Sequence, residues 1–369
     1  MTHIVFTSNP LLRHLRRFVA VLAAVILGGA TLAAAAEAAP SCAPQQGQAF
    51  IDAGRYDRAI HEFTCMIDAQ PTEVEGYRGR IEAEVLLGRY SDAVRDYTRV
   101  TAHVLPVHPD AERTILDGYG DRLASDPDSV PALTGMSFAR WWFFDYARAI
   151  HLLDRLLALR PADVYGNLLR GSSRLLKGVS TTEGAADLEQ ALALAPESAD
   201  VRFIVADAYT YGVHDPERAL AEATLALDWG LDTPRVHAIL GAAYNALGDL
   251  ATAASHIQRS IDLVTTELLP AAPIAPGDAL TLDLVPGRTY EIPVAATAGE
   301  AISISTGSHD FWDSIAVLLA PDGTPVVGSD DDSAYFAAFD WTAEQTGTYR
   351  LQVTSFEAVS TGRLVVTRD

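Results

Sequence analysis

The chain has 369 residues, enough for two or three domains at about 150 residues each. Its 27 basic and 48 acidic residues leave a net charge of −21, which repels phosphate backbones and anionic lipid and excludes nucleic acid and membrane surfaces as non-specific partners. A hydrophobic content of 49% excludes a wholly disordered chain, and two cysteines are too few for a disulfide scaffold or a cysteine-only zinc site.

The first predicted element is an address. Arg13, Arg16 and Arg17 precede an apolar run from Phe18 to Ala36, and Ala36-Glu37-Ala38 supplies small residues at a signal-peptidase spacing. Residues 1–38 therefore read as a cleaved secretory signal, with an uncleaved membrane anchor as the alternative, since 19 apolar residues just span a bilayer. Cleavage would leave no membrane segment and would place the protein outside a bacterial cytoplasm, secreted or on the cell surface. In that oxidising compartment Cys42 and Cys65, the only thiols, are candidates for a disulfide across one helical hairpin, with two buried free thiols as the alternative.

Residues 39–267 repeat. Gly54-Arg55-Tyr56-Asp57-Arg58-Ala59 returns 34 residues later as Gly88-Arg89-Tyr90-Ser91-Asp92-Ala93, and again as Phe144–Ala149 and Gly248–Ala253. Pro71, Pro127, Pro161 and Pro196 punctuate the same lattice. Between these marks the apolar spacing is helical, as in Ile60, Phe63 and Ile67. Each unit is thus a helix, a tight turn, a second helix and a proline, and six units are predicted: 40–73, 74–107, 130–163, 164–198, 199–233 and 234–267. Residues 108–129 form a degenerate seventh.

In this form the units resemble the tetratricopeptide repeat (TPR). Leu240-Gly241-Ala242-Ala243-Tyr244, Ala253 and Ile257 occupy the signature places of that family in the last unit, and Gly47, Phe50, Ala59, Phe63 and Pro71 do so in the first. The resemblance implies an α-solenoid of helical hairpins whose first helices line a concave face, where members of the family usually hold a peptide. The positions it places there are Arg78, then Phe138, Trp141 and Trp142, then Tyr165, and then Phe203 and Tyr211. Aromatic side chains dominate, so the expectation is an apolar groove for a protein or peptide partner. The alternative is that the same residues are packing between repeats, or are covered by the C-terminal domain.

Pro270, Pro273 and Pro276 mark a linker over 268–277. Beyond it the period changes to two: Tyr290, Ile292 and Val294 alternate, as do Tyr349, Leu351 and Val353. About eight short strands over 278–369 predict an antiparallel β-sandwich, so the fold class is multidomain, an α-solenoid followed by an all-β domain. Ile315–Gly323, Asp330-Asp331-Asp332, Phe339-Asp340-Trp341 and Gly347–Val353 follow one another in the order of the bacterial pre-peptidase C-terminal domain, which this segment resembles. That resemblance implies secretion or attachment to a polymer, a surface or another partner. No recognisable peptidase precedes the segment here. The acidic turn Asp330-Asp331-Asp332, with Asp310 and Asp313, has the carboxylates that calcium takes, but a solvated polar turn in an acidic protein is the favoured account.

No His-Glu-x-x-His pair, Gly-x-Ser-x-Gly elbow or phosphate loop occurs, and His61, His103, His108 and His151 are scattered. The resulting expectation is an exported, non-catalytic interaction protein without a cofactor. The alternative is a secreted hydrolase or enzyme accessory subunit with a site at the domain junction. Separable helical and β domains, divided near 268–277, are expected in either case.

Overall fold

The computed structural model describes residues 42–100, 110–285, 287–307, 314–330, 336–355 and 362–369. The signal-like segment 1–38 lies outside them. Pro44–Asp369 forms one compact unit. No described helix is long and apolar enough to cross a membrane. Neither cysteine is a free thiol, since Cys42 and Cys65 are both disulfide-bonded.

Thirteen helices are described. They are α1 (Pro44–Asp52), α2 (Tyr56–Ala69), α3 (Val74–Leu87), α4 (Tyr90–Arg99), α5 (Ala111–Ser125), α6 (Val130–Trp142), α7 (Tyr146–Leu159), α8 (Val164–Lys177), α9 (Thr181–Leu194), α10 (Ala199–Ala208), α11 (Pro216–Asp228), α12 (Pro234–Ala246) and α13 (Leu250–Val264). A single π-turn, Tyr209–Val213, extends α10. They form a TPR-like solenoid of hairpins, with α5 as the lone helix of the degenerate unit.

Local chemistry starts and turns these helices. Asp145, Asp163, Ser198, Asp215, Thr233 and Asp249 each accept a backbone N–H of the helix that follows, which satisfies an otherwise orphaned donor. The hairpin turn needs a left-handed residue. Gly88 provides it at φ 84°, but at the equivalent places Phe144 and His214 adopt φ 59° and 53°. Small residues let paired helices touch: a Cβ on Gly79 would lie 2.2 Å from the Phe63 ring, which fills the space between α2 and α3.

Among the described residues nine strands follow: β1 (Glu267–Pro270), β2 (Ala279–Leu284), β3 (Arg288–Ala296), β4 (Ala301–Gly307), β5 (Ser314–Leu319), β6 (Pro325–Ser329), β7 (Ala338–Thr342), β8 (Gly347–Ser355) and β9 (Gly362–Arg368). They make two sheets, ordered β1-β3-β8-β5-β6 and β2-β9-β4-β7. All pairings are antiparallel except β1 with β3, which is parallel. Ile292, Val294, Ala316, Leu318, Leu351 and Val353 of the first sheet meet Leu282, Leu284, Ile302, Ile304, Leu364 and Val366 of the second in one core.

Two expectations change here. The segment read as a linker begins inside β1, because Glu267–Pro270 finds unpaired backbone on the edge strand β3 and extends the sheet. The helices and sheets are also not insulated from one another. Ile315, Val317 and Leu319, on the outer face of β5, form a core with Ala238 of α12 and Ala254, Ile257 and Ile261 of α13. Asn245 Nδ2 donates to the Gly328 carbonyl at 2.8 Å, and Gln258 Nε2 to Gln352 Oε1 at 3.0 Å, across the same seam.

Candidate functional site

Residues on successive first helices, α3, α6, α8, α10 and α12, converge on the concave side. Their polar groups are largely spent on one another. Glu82 of α3 is fully buried and accepts from Arg122 of α5 at 2.6 Å; burial pushes its carboxyl upward despite that partner. Asp207 of α10 accepts from Arg235 of α12 at 2.9 Å, and that guanidinium lies 5.9 Å from the centre of the Tyr211 ring. Arg78 pairs with Glu75 and stands 5.6 Å over the ring of Tyr119.

The aromatic residues expected to form an open groove are mostly interior. Phe138, Trp141, Tyr165 and Phe203 are buried, whereas Trp142 and Tyr211 are half-buried against the same core. The cover is α4. Its Tyr97 lies 5.5 Å from Phe138 and stacks on Trp142 at 5.6 Å with the planes inclined by 23°. The Trp141 indole N–H donates to Ser172 Oγ at 3.1 Å, and the Tyr165 hydroxyl donates to the Thr134 carbonyl at 2.9 Å. Phe138, Trp141, Tyr165 and Phe203 are therefore packed in the core between repeats and do not line an open groove. Helical periodicity places them on the correct face but does not say what lies across it.

The same helix reaches further. Tyr90, at its start, lies 6.0 Å from the Tyr165 ring, and the Ser91 N–H donates to Asp200 Oδ1 at 2.7 Å. So α4 bridges from α6 past α8 to α10. Where it bridges, it leaves a cavity of about 420 Å³ between the starts of α6, α8 and α10. Val85, Tyr90, Val130, Thr134, Val164, Tyr165 and Val201 line it, with Arg160, Asp163 and Ser198 as polar groups. The Tyr90 hydroxyl is pushed up chiefly by burial, then by the negative charges of Asp163 and Asp200. With Tyr56 the cavity thus offers aliphatic walls, three tyrosine side chains, a guanidinium and a carboxylate, a lining suited to an apolar or amphipathic side chain. A second cavity of about 440 Å³ is a charged bowl lined by Asp110, Glu112, Arg113, Leu116, Asp117 and Arg140.

Of the calcium candidates, Asp310, Asp313, Asp331 and Asp332 lie outside the described residues. Asp330 is buried. Among the described residues no group of three or more His, Cys, Asp or Glu is arranged to hold a metal. His61 and His151 are exposed on second helices, and His103 and His108 lie outside the described residues. A polar constellation that sequence reading missed is the pair His237 and His256, which face one another across the last hairpin at 2.8 Å. Their separation of 19 residues is the only signal, and it acquires meaning once the hairpin is drawn.

A tetratricopeptide-repeat family model matches residues 45–111. The matched stretch spans α1 to α4 and the start of α5, the first of the repeating hairpins. Among solved structures, a MamA fragment from Desulfovibrio magneticus RS-1 is similar at 23% identity, covering 46% of this chain and 94% of its own, with a TM-score of 0.35. A tetratricopeptide repeat protein from Parabacteroides merdae is similar at 16% identity over 59% of this chain and 91% of its own, with a TM-score of 0.38. A comparison with curated proteins finds no match.

Proposed function

We propose that the protein is an exported, non-catalytic scaffold that holds a protein or peptide through its repeat array, while the β-sandwich attaches the assembly to a second partner, an extracellular polymer or the cell surface. The observation that carries this reading is the cavity of about 420 Å³ between the starts of α6, α8 and α10, which combines aliphatic walls with convergent polar groups. The partner contributes one apolar or amphipathic side chain to it. The leader-like segment and the disulfide-bonded cysteines support export, and the order of motifs in the last 90 or so residues supports a role like that of pre-peptidase C-terminal domains. The reading needs no cofactor.

A random-peptide phage library panned on immobilised 39–369 tests it. Enriched peptides should bind the wild-type protein and lose binding to Val164→Trp, which fills the cavity, provided its circular dichroism is unchanged. Equal binding to a folded Val164→Trp would move the site elsewhere. Reproducible turnover in a hydrolase panel would replace the scaffold reading with the enzyme alternative. Export is checked by mass spectrometry: an N-terminus near Ala39 is expected, and intact residues 1–38 in a membrane fraction would establish the anchor.

A further inference from the structure

The last helical hairpin contains a chain of three titratable groups. His237, on α12, is buried; His256, on α13, is half-buried. Asp232, in the turn before α12, has Oδ1 2.9 Å from His237 Nε2, and the two imidazoles meet Nδ1 to Nδ1 at 2.8 Å. The ionised carboxylate only accepts, so it fixes the tautomers. His237 donates from Nε2 to Asp232, its Nδ1 is left as an acceptor, and His256 donates to it from Nδ1–H. Tyr244 stacks on His256 with ring centroids 5.6 Å apart and planes 6° from parallel, which holds that imidazole in place.

The arrangement tolerates one N–H between the rings and no more. A further proton on His237 puts two N–H donors against each other at 2.8 Å, and protonation of both imidazoles would put two positive rings in contact. Burial pushes both imidazoles below the usual 6.5; Asp232 opposes this at His237, and His237 adds to it at His256. The other charged groups nearby are Arg259 and Asp262 of α13. Arg259 is held by Asp232 Oδ2 at 2.6 Å and holds that carboxyl low. From α10, Asp207 faces α12 but is spent on Arg235. From the sheet side, Gln352 meets Gln258, with Glu291 behind it.

The opposite face of α13 carries Ala254, Ile257 and Ile261, which hold β5. The seam there is not fully satisfied: Asn245 Oδ1 and Gln258 Oε1 are buried without a hydrogen-bond partner among the described residues, a cost that hydration would remove.

We propose that His237 and His256 form an acid-sensitive latch, which keeps α12 closed on α13 at neutral pH and, as it takes up protons in acid, frees α13 and with it the seam to the β-sandwich. The sign follows from linkage. Both imidazoles bind protons less readily in the folded chain, so their contribution is complete above the ordinary histidine range and is lost as pH falls through it. Glu84, pushed up to about 9 chiefly by burial and then by Asp96, works in the opposite direction over the same range. Comparison of variants within one series removes its contribution.

The test uses the full mature chain. Urea unfolding is followed from pH 8 to pH 5, with hydrogen exchange read over 234–264 and 314–329. The wild-type unfolding constant should rise about tenfold per pH unit for each histidine that protonates on unfolding, and exchange in α13 and β5 should rise before that in α2 and α3. His256→Gln, which keeps a hydrogen-bonding group but cannot charge, should flatten this slope. A wild-type slope retained in His256→Gln would overturn the proposal, as would acid opening that begins in the first repeats. If the variant does not fold, NMR titration of the wild-type imidazoles decides: two histidines titrating below 6.5 are expected, and all histidines titrating at or above it would refute the latch.

Discussion

The second helices of the hairpins bury one face, as α2 does with Ala59, Phe63 and Ile67, whereas first helices such as α3 are buried nearly all round. The strands of the sandwich instead alternate, as β4 does, with Ile302, Ile304 and Thr306 inward. At β5 the two regions meet, and the alternation disappears: all six residues from Ser314 to Leu319 are buried. Ala316 and Leu318 face the second sheet, whereas Ile315, Val317 and Leu319 face α13. A continuous apolar run of this kind marks a strand covered on both sides. The difference between β4 and β5 teaches that the sandwich is completed by the solenoid, and that a change of sequence period does not by itself mark a point where the chain can be cut.

The largest effect should come from striking the shared face alone. Val317→Asp places an unpaired carboxylate in the seam and should cost roughly 4 kcal/mol or more. Leu318→Asp should damage the other face by a similar amount. If the two regions are coupled through α13, urea unfolding of Val317→Asp separates into two transitions, whereas the wild type shows one. A single, unshifted transition would dissolve the comparison.

Next comes the interior of the solenoid. Phe138→Ala should cost about 3–5 kcal/mol, because Tyr97, Trp141 and Tyr165 enclose the ring and cannot collapse onto the space. Unchanged stability would restore Phe138 as an open groove residue. Gly79→Ala should cost about 1–3 kcal/mol through its collision with Phe63. Circular dichroism melts should show its effect in the first repeats without altering the seam. Smallest, and opposite in sign, is Phe144→Gly: it removes a left-handed φ of 59° from a side chain that is 65% exposed, and should raise stability by about 1 kcal/mol or less. A loss of stability there would mean that its edge contact with Tyr146, at 6.2 Å, outweighs the strain.

Much of this architecture is legible along the chain. The repeated Gly-Arg-Tyr marks predict the hairpin turns, whereas the strain at Phe144, which stands in place of a glycine, shows only in its φ of 59°. The alternation of Tyr349, Leu351 and Val353 predicts β8, whose inward face those residues supply. The candidate site is less legible. Trp141 and Phe138 carry the same pattern whether a partner or α4 covers them, since burial removes the same apolar area from water in either case. Nothing local says that Tyr97 stacks on Trp142, or that Ser91 reaches Asp200, 109 residues away.

Sequence alone determined the repeat period, the capping residues that start most later helices, the change to period two near residue 278, and the acidic charge. Each of these is a property of residues close in the chain, where the 3.6-residue and two-residue periods and the orphan donors of a helix end leave a direct mark. Only the tertiary structure decided that α4 closes the aromatic face, that the cavity opens beside it, that β5 belongs to two cores and that His237 meets His256. Those outcomes depend on how much each hairpin rotates relative to its neighbour. The rotation is set by side-chain volumes such as those at Gly79 and Phe63, summed over several repeats, and no single stretch of sequence records that sum.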